Sequence, residues 1–257
     1  MNIIEVVILS IIEGLTEFLP ISSTGHLILT AKILNIPQTS FVKSLEIFIQ
    51  LGAIIAVIII YGSTIWKNKE MILKITTAFL PTALIGLLLY RYIKDVLLGN
   101  SLITVAALFS GGIILIVLEK FRKKTSPLIK GVEMISYKSA IMIGVFQSMS
   151  VVPGVSRAAA TIIGGIMTGL SRKTSVEFSF ILAIPTMIAA ALFDLYKERF
   201  QFNGAEIRLL LIGIILSFIW AIIGIKFLLK FTEKYSLIPF GWYRIIIAVL
   251  FFFFFLY

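Results

Sequence analysis

Apolar residues run along this chain in long blocks, and polar residues gather in the short gaps between them. Six blocks are long enough to cross a bilayer as helices, at about twenty residues each. They cover 44–61, 71–90, 101–118, 178–196, 207–229 and 241–257. Two further apolar stretches are interrupted. Residues 3–35 break at Pro20-Ile21-Ser22-Ser23-Thr24-Gly25, and residues 139–170 break at Pro153-Gly154-Val155-Ser156-Arg157. Each arm is short, and each break carries proline, glycine or hydroxyls. Backbone that leaves helical form at membrane depth must be enclosed by protein or line a wet cavity. The pattern therefore predicts two re-entrant helical hairpins.

The two halves correspond. Pro20 to Pro153 and Ser23 to Ser156 are offsets of 133, Glu46 to Glu177 is 131, and the basic turn Lys67–Lys69 maps to Lys197–Arg199 at 130. So steady an offset predicts an internal repeat of about 130 residues, with repeat 1 over about 1–120 and repeat 2 over about 135–257 of one membrane domain, 1–257. Each half holds one hairpin and three crossings. Three is odd, so the second half enters upside down. The expected fold is all-α and integral to the membrane: an inverted-topology repeat of six transmembrane helices plus two re-entrant hairpins, whose tips meet near the midplane.

Composition agrees. Of 257 residues, 59% are apolar and 14% charged, and there is no Cys. A soluble domain is nearer a quarter charged. A disordered chain, a disulfide scaffold, thiolate catalysis and a water-soluble globule are excluded. The net charge of +10, from 23 Lys and Arg against 13 Asp and Glu, would suggest nucleic acid in a soluble protein. Here the basic residues sit in short loops, as the positive-inside rule expects, and nucleic acid is no partner. Fifteen fall on one side, among them Lys67, Lys74, Lys120, Lys130, Arg172 and Arg244. Seven fall on the other, and Arg157 belongs to a tip. The richer side is expected to be cytoplasmic, which leaves both termini and the mouth of the first hairpin facing outward. The start, Met1 to Glu5, has no basic region and does not read as a removable signal. Lys120–Lys124 reads as a stop-transfer cluster and Phe251–Phe255 as a lipid-facing helix end.

Ionisable residues inside apolar spans are costly and functional by default. Glu13 and Glu17 are four apart and share a helix face. Two carboxylates that close share a proton, bind a cation or face a basic group. Ser22, Ser23 and Thr24 can cap the second arm, and His26, the chain's single histidine, can serve as acid or base. On the second break stand Gly154, Ser156 and Arg157, with Thr161 one turn on. A helix starting there points N–H groups and the positive end of its dipole at an anion, and the guanidinium fork suits phosphate. Acids, hydroxyls and imidazole on one tip and arginine on the other make a constellation for phosphoryl transfer.

The run Glu13-Gly14-Leu15-Thr16-Glu17-Phe18-Leu19-Pro20-Ile21-Ser22-Ser23-Thr24-Gly25-His26 resembles the signature of the undecaprenyl-diphosphatase family, the bacitracin-resistance-type phosphatases. Pro153-Gly154-Val155-Ser156-Arg157 with Thr161 does so too. Gln50-Leu51-Gly52, Gln147 and Phe178–Pro185 extend the likeness over essentially the whole chain. The resemblance implies a multi-pass enzyme of the bacterial inner membrane, open to the outer side. It would hydrolyse undecaprenyl diphosphate to the monophosphate carrier used in cell-wall synthesis, with a divalent cation, Mg²⁺ or Ca²⁺. It implies metal ligation by Glu13 and Glu17 and catalysis by Glu17, Ser23, His26 and Arg157. Substrate binding would fall to Ser22, Gly154, Ser156, Arg157 and Thr161. Ser23 is the expected nucleophile with Glu17 or His26 as base, and direct attack by an activated water is the other route. One departure stands out: the family commonly shows Ser-Gly after the arginine, where this chain has Ala158 and Ala159. The rival expectation is a transporter that flips a lipid phosphate. Homo-oligomerisation is left open.

Overall fold

The computed structural model describes residues 1–97, 100–121, 129–198 and 202–256. Within them the chain is helical, without strands beyond one isolated bridge, Ile129 to Leu170. Its longer helices among the described residues are α1 (Ile3–Thr16), α2 (Ser23–Ile33), α3 (Ser40–Trp66), α4 (Lys69–Leu88), α5 (Ser101–Phe121), α6 (Tyr137–Ser148), α7 (Arg157–Met167), α8 (Arg172–Glu198), α9 (Gly204–Lys234) and α10 (Ile238–Phe255). Five of them, α3, α4, α5, α8 and α9, are long and apolar enough to cross a membrane, and α10 is a shorter apolar helix. The outside is as greasy as the inside. Leu80, Leu84, Leu87, Ile113, Ile215, Ile219 and Phe254 stand exposed along α4, α5, α9 and α10. A soluble protein does not leave so much apolar surface in water. The chain is an all-α integral membrane protein.

Lipid does not push apolar helices together, so close packing of small residues has to. α1 and α3 both lie against α9, where a side-chain carbon on Gly14 would fall 2.5 Å from Ser217 O and one on Gly52 2.5 Å from Ile214 O. Gly144 of α6 meets α4 as tightly, 2.0 Å from Ala78 O. The hydroxyl of Ser217 also donates to Ile49 O across α9 and α3. The central core joins both hairpin breaks, through Phe18, Ile21, Ala158 and Ile162, to Ala53 and Val57 of α3 and Phe180 and Ala183 of α8. At one end Arg172 holds Glu119 with two nitrogens, at 2.7 and 2.6 Å, and Lys173 pairs with Glu233 at 2.7 Å. These bonds tie α8 to α5 and α9.

The second arms of the two hairpins share their capping and end hydrogen bonds, at an offset of 134 rather than 133. Ser22 and Ser156 both cap the helix that follows, with φ of 71° and 70°. At the far ends, Ile36 N donates to Ala31 O and Leu170 N to Gly165 O, each at a residue pair 134 apart. Ser22, not Ser23, is thus the mate of Ser156, and Ser23 matches Arg157. The next helices keep step at 132, since Thr39 caps Val42 N as Ser171 caps Thr174 N. That register pairs Glu46 with Phe178, so Glu46 and Glu177 are not mates. A sequence offset averaged over several helices hides such slips.

Three residues read as loop or lipid-facing behave otherwise. Lys74 is buried and donates to Glu133 O at 2.8 Å. Arg244 is completely buried. Phe251 turns inward to pack on Leu108 and Ala248, while Phe253 and Phe254 stay exposed. Arg122, Lys123 and Lys124 of the basic cluster and Arg199 lie outside the described residues.

Candidate active site

The two breaks meet. Glu17 follows the last turn of α1, and the chain then folds tightly, with Leu19 N bonded to Thr16 O and Ile21 N to Leu19 O. Phe18 is driven into the core against Phe180, edge to face at 5.3 Å. With Phe18 turned inward, Glu17 is left on the cavity side. Ser22 then takes a left-handed backbone that side chains seldom adopt, and its hydroxyl accepts from Gly25 N at 3.4 Å. The second break does the same at Ser156, whose hydroxyl accepts from Ala159 N at 3.1 Å. Left-handed non-glycine residues cost about 1–3 kcal/mol and cluster at functional sites. Gly154 (φ 94°) lies against α5, where any Cβ would sit 2.4 Å from Thr104 O.

A cavity of about 220 Å³ opens between the tips, lined by Glu17, Ser22 and Ser23 from one and Gly154, Ser156 and Arg157 from the other. Ser23 Oγ donates to Glu17 Oε2. Arg157 Nη2 donates to Glu17 Oε1 at 2.7 Å. One carboxylate therefore joins the tips, with a hydroxyl on one oxygen and a guanidinium on the other. Arg157 is steadied by Ser179 O at 3.0 Å and by the Phe18 ring at 5.6 Å, and its buried Nε has no partner among the described residues. This is the arrangement of a hydroxyl poised to lose its proton to an oriented base, beside a cation and an unused donor suited to an anion.

Other expected members stand apart. The imidazole of His26 bonds Ser22 O through Nδ1 at 2.8 Å and Tyr243 Oη through Nε2 at 2.7 Å. Both nitrogens are engaged and His26 is not among the residues lining the cavity, so in this geometry Glu17 and not His26 is the residue that Ser23 meets. Thr161 is fully buried, 2.6 Å from Ser179 Oγ, and backs the residue that steadies Arg157 rather than facing the cavity. Ala158 packs in the core. A hydroxyl at that position would point away from the cavity.

Further polar residues belong to the site or its support. Gln50 and Thr186 line the cavity. Thr186 is held by Gln147 Nε2 at 3.0 Å, one residue after Pro185 interrupts the ladder of α8. Arg244 reaches both tips from α10. Its signal lies in the sequence: it falls inside the apolar span 241–257, where an arginine is a functional candidate by default and not a loop charge.

The family described as bacitracin resistance protein BacA matches residues 6–250. The chain belongs to the BacA family. A protein of Aquifex aeolicus named undecaprenyl-diphosphatase is 51% identical over 98% of both chains. One of Campylobacter hominis with the same name is 49% identical over 99% of both. One of Sulfurihydrogenibium is 48% identical over 98% of this chain and 99% of its own.

The acidic pair bears on the implied cation. Glu13 is completely buried, one turn from Glu17, and neither of its carboxylate oxygens has a hydrogen-bond partner among the described residues. A buried carboxylate left so needs a proton or a cation. No group of three His, Cys, Asp or Glu gathers among the described residues. Mg²⁺, however, is commonly held by one or two carboxylates together with substrate phosphates and water. The donor set fits such an ion.

Proposed function

We propose that the chain is an integral membrane phosphatase that hydrolyses undecaprenyl diphosphate to undecaprenyl phosphate and inorganic phosphate, recycling the lipid carrier for cell-wall synthesis. The observation that carries this reading is the Ser23–Glu17–Arg157 chain across the two tips. The names and near-complete overlap of the relatives support the substrate. The repeat is read as inverted, with the cavity opening to the outer face of the bacterial inner membrane. The prenyl tail stays among lipid and helices while the diphosphate enters the cavity.

Ser23 Oγ attacks the terminal phosphorus and gives its proton to Glu17. The bond from phosphorus to the bridging oxygen breaks, and undecaprenyl phosphate leaves. Glu17 gives that proton up to solvent and takes another from the water that attacks the phosphoserine; the bond from phosphorus to Ser23 Oγ breaks, Glu17 returns the proton to Ser23 Oγ, and phosphate leaves. Arg157, the main-chain amide of Ser156 and the amides at the start of α7 hold the charged oxygens as negative charge spreads over them. His26 fixes Ser22 and so the start of α2. Glu13 and Glu17 would hold Mg²⁺ or Ca²⁺, which neutralises charge on the phosphates when bound.

Purified protein in detergent with undecaprenyl diphosphate tests the reading. Phosphate release is expected there, where no two sides exist. A protein that only moves lipid would release none. Acid quenching should trap phosphate on Ser23. Full activity in Ser23→Ala would exclude the serine route and leave attack by water.

A further inference from the structure

Arg244 is a buried cation that the steps above leave unused. All five of its N–H donors are spent on main-chain carbonyls. Nε bonds Leu108 O at 3.3 Å. Nη1 bonds Pro20 O at 3.3 Å and Val155 O at 3.0 Å, and Nη2 bonds Ala107 O at 3.1 Å and Gly154 O at 3.0 Å. Pro20 belongs to the first tip, Gly154 and Val155 to the second, and Ala107 and Leu108 to α5. No carboxylate is among its partners. The neighbouring helix is shaped to admit it: a Cβ on Gly111 would lie 2.2 Å from Nη2, and Gly112 packs on Gly241 O and Arg244 Cβ.

Two consequences follow from this geometry. First, an arginine spends five donors in a rigid fork, whereas a lysine offers three on a flexible stem. Only the fork can hold both tips and α5 at once. A trans peptide sets N–H opposite C=O, so holding Val155 O also aims the amide of Ser156, a lining residue, away from Arg244. Second, the charged side chains lining the cavity are Glu17 and Arg157, and they neutralise each other. Behind the tips Arg244 adds a positive charge with no carboxylate bonded to it, in surroundings that screen it poorly.

We propose that Arg244 is a positioning residue of the phosphatase, tying the two tips into one cradle and contributing positive charge that draws a diphosphate into it. The inference rests on the phosphatase reading above. It assigns Arg244 no contact with substrate; the residue acts through Pro20, Gly154 and Val155.

The test uses the full chain in detergent, with kcat for undecaprenyl diphosphate and the affinity of inorganic diphosphate measured separately. Arg244→Met removes charge and fork, so diphosphate should bind about tenfold or more weakly and kcat should fall about a hundredfold. Arg244→Lys keeps the charge but not the fork, so affinity should stay within about threefold while kcat drops about tenfold. Gly111→Ala displaces the guanidinium without removing it and should behave like the lysine variant, which keeps the inference testable if the methionine variant does not fold. Wild-type kcat and affinity in the methionine variant would overturn it. So would wild-type kcat in both the lysine and alanine variants, or equal loss of affinity with lysine and methionine. Wild-type protein that neither hydrolyses the lipid diphosphate nor binds inorganic diphosphate would instead sink the phosphatase reading.

Discussion

Ser22 and Ser156 take the same left-handed backbone, cap the next helix in the same way, and start helices of eleven residues each. The residue that follows is Ser23 on the first tip and Arg157 on the second. One turn and more before the break, Glu13 on the first arm corresponds to Gln147 on the second, at the same offset of 134. Both are fully buried, and both carry side-chain oxygens without a partner among the described residues. The backbone scaffold is thus duplicated while the chemistry is divided. The proposed nucleophile and the carboxylates stand on one copy; guanidinium and amide donors stand on the other. A symmetric pair of tips with acids on both would repel an anion, and one with arginines on both would hold it without a base. On the proposed reading, the asymmetry turns a binding cradle into a site for phosphoryl transfer.

That division can be broken step by step. Glu17→Gln removes both the proton acceptor of Ser23 and the anchor of Arg157, and should cost about a thousandfold in kcat, read by phosphate release. Arg157→Lys keeps a charge on the second tip but loses the fork that spans Glu17 and Ser179, and should cost about a hundredfold in kcat/KM. His26→Ala should cost less than about tenfold, since the imidazole fixes Ser22 and Tyr243 rather than moving a proton. The shape of its pH–rate profile should match wild type, and loss of one limb would restore His26 as the base. Ser156→Ala should do least to chemistry. It deletes the cap on Ala159 N, worth about 1 kcal/mol, and should lower Tm by roughly 2–4 °C in a thermal-unfolding measurement.

Much of this was legible before any coordinates. Apolar blocks of bilayer length and breaks rich in Pro, Gly and Ser mark crossings and interrupted helices, because lipid offers no partner to free backbone groups. Glu17, Ser23 and Arg157 stand out for the same reason: polar side chains are not kept at such positions without a use. The split of roles within the sets was not legible. Ser23 lies three residues from His26 and six from Glu17, and spacing alone could not say which would face it. The tight turn after α1 buries Phe18 and leaves Glu17 on the cavity side, while the start of α2 turns His26 toward Tyr243 of a helix more than two hundred residues away.

Residue order alone fixes where this chain meets lipid, where its helices break, and which polar residues those breaks carry, because hydrophobicity and backbone satisfaction are local demands. Only the tertiary structure decided which oxygen of Glu17 meets which tip, that Thr161 and Ala158 point into the core, and that Arg244 is no loop charge. Those outcomes depend on directions of side chains from helices far apart in the chain. They also depend on glycines at positions 111 and 112 making room for a guanidinium that arrives from α10.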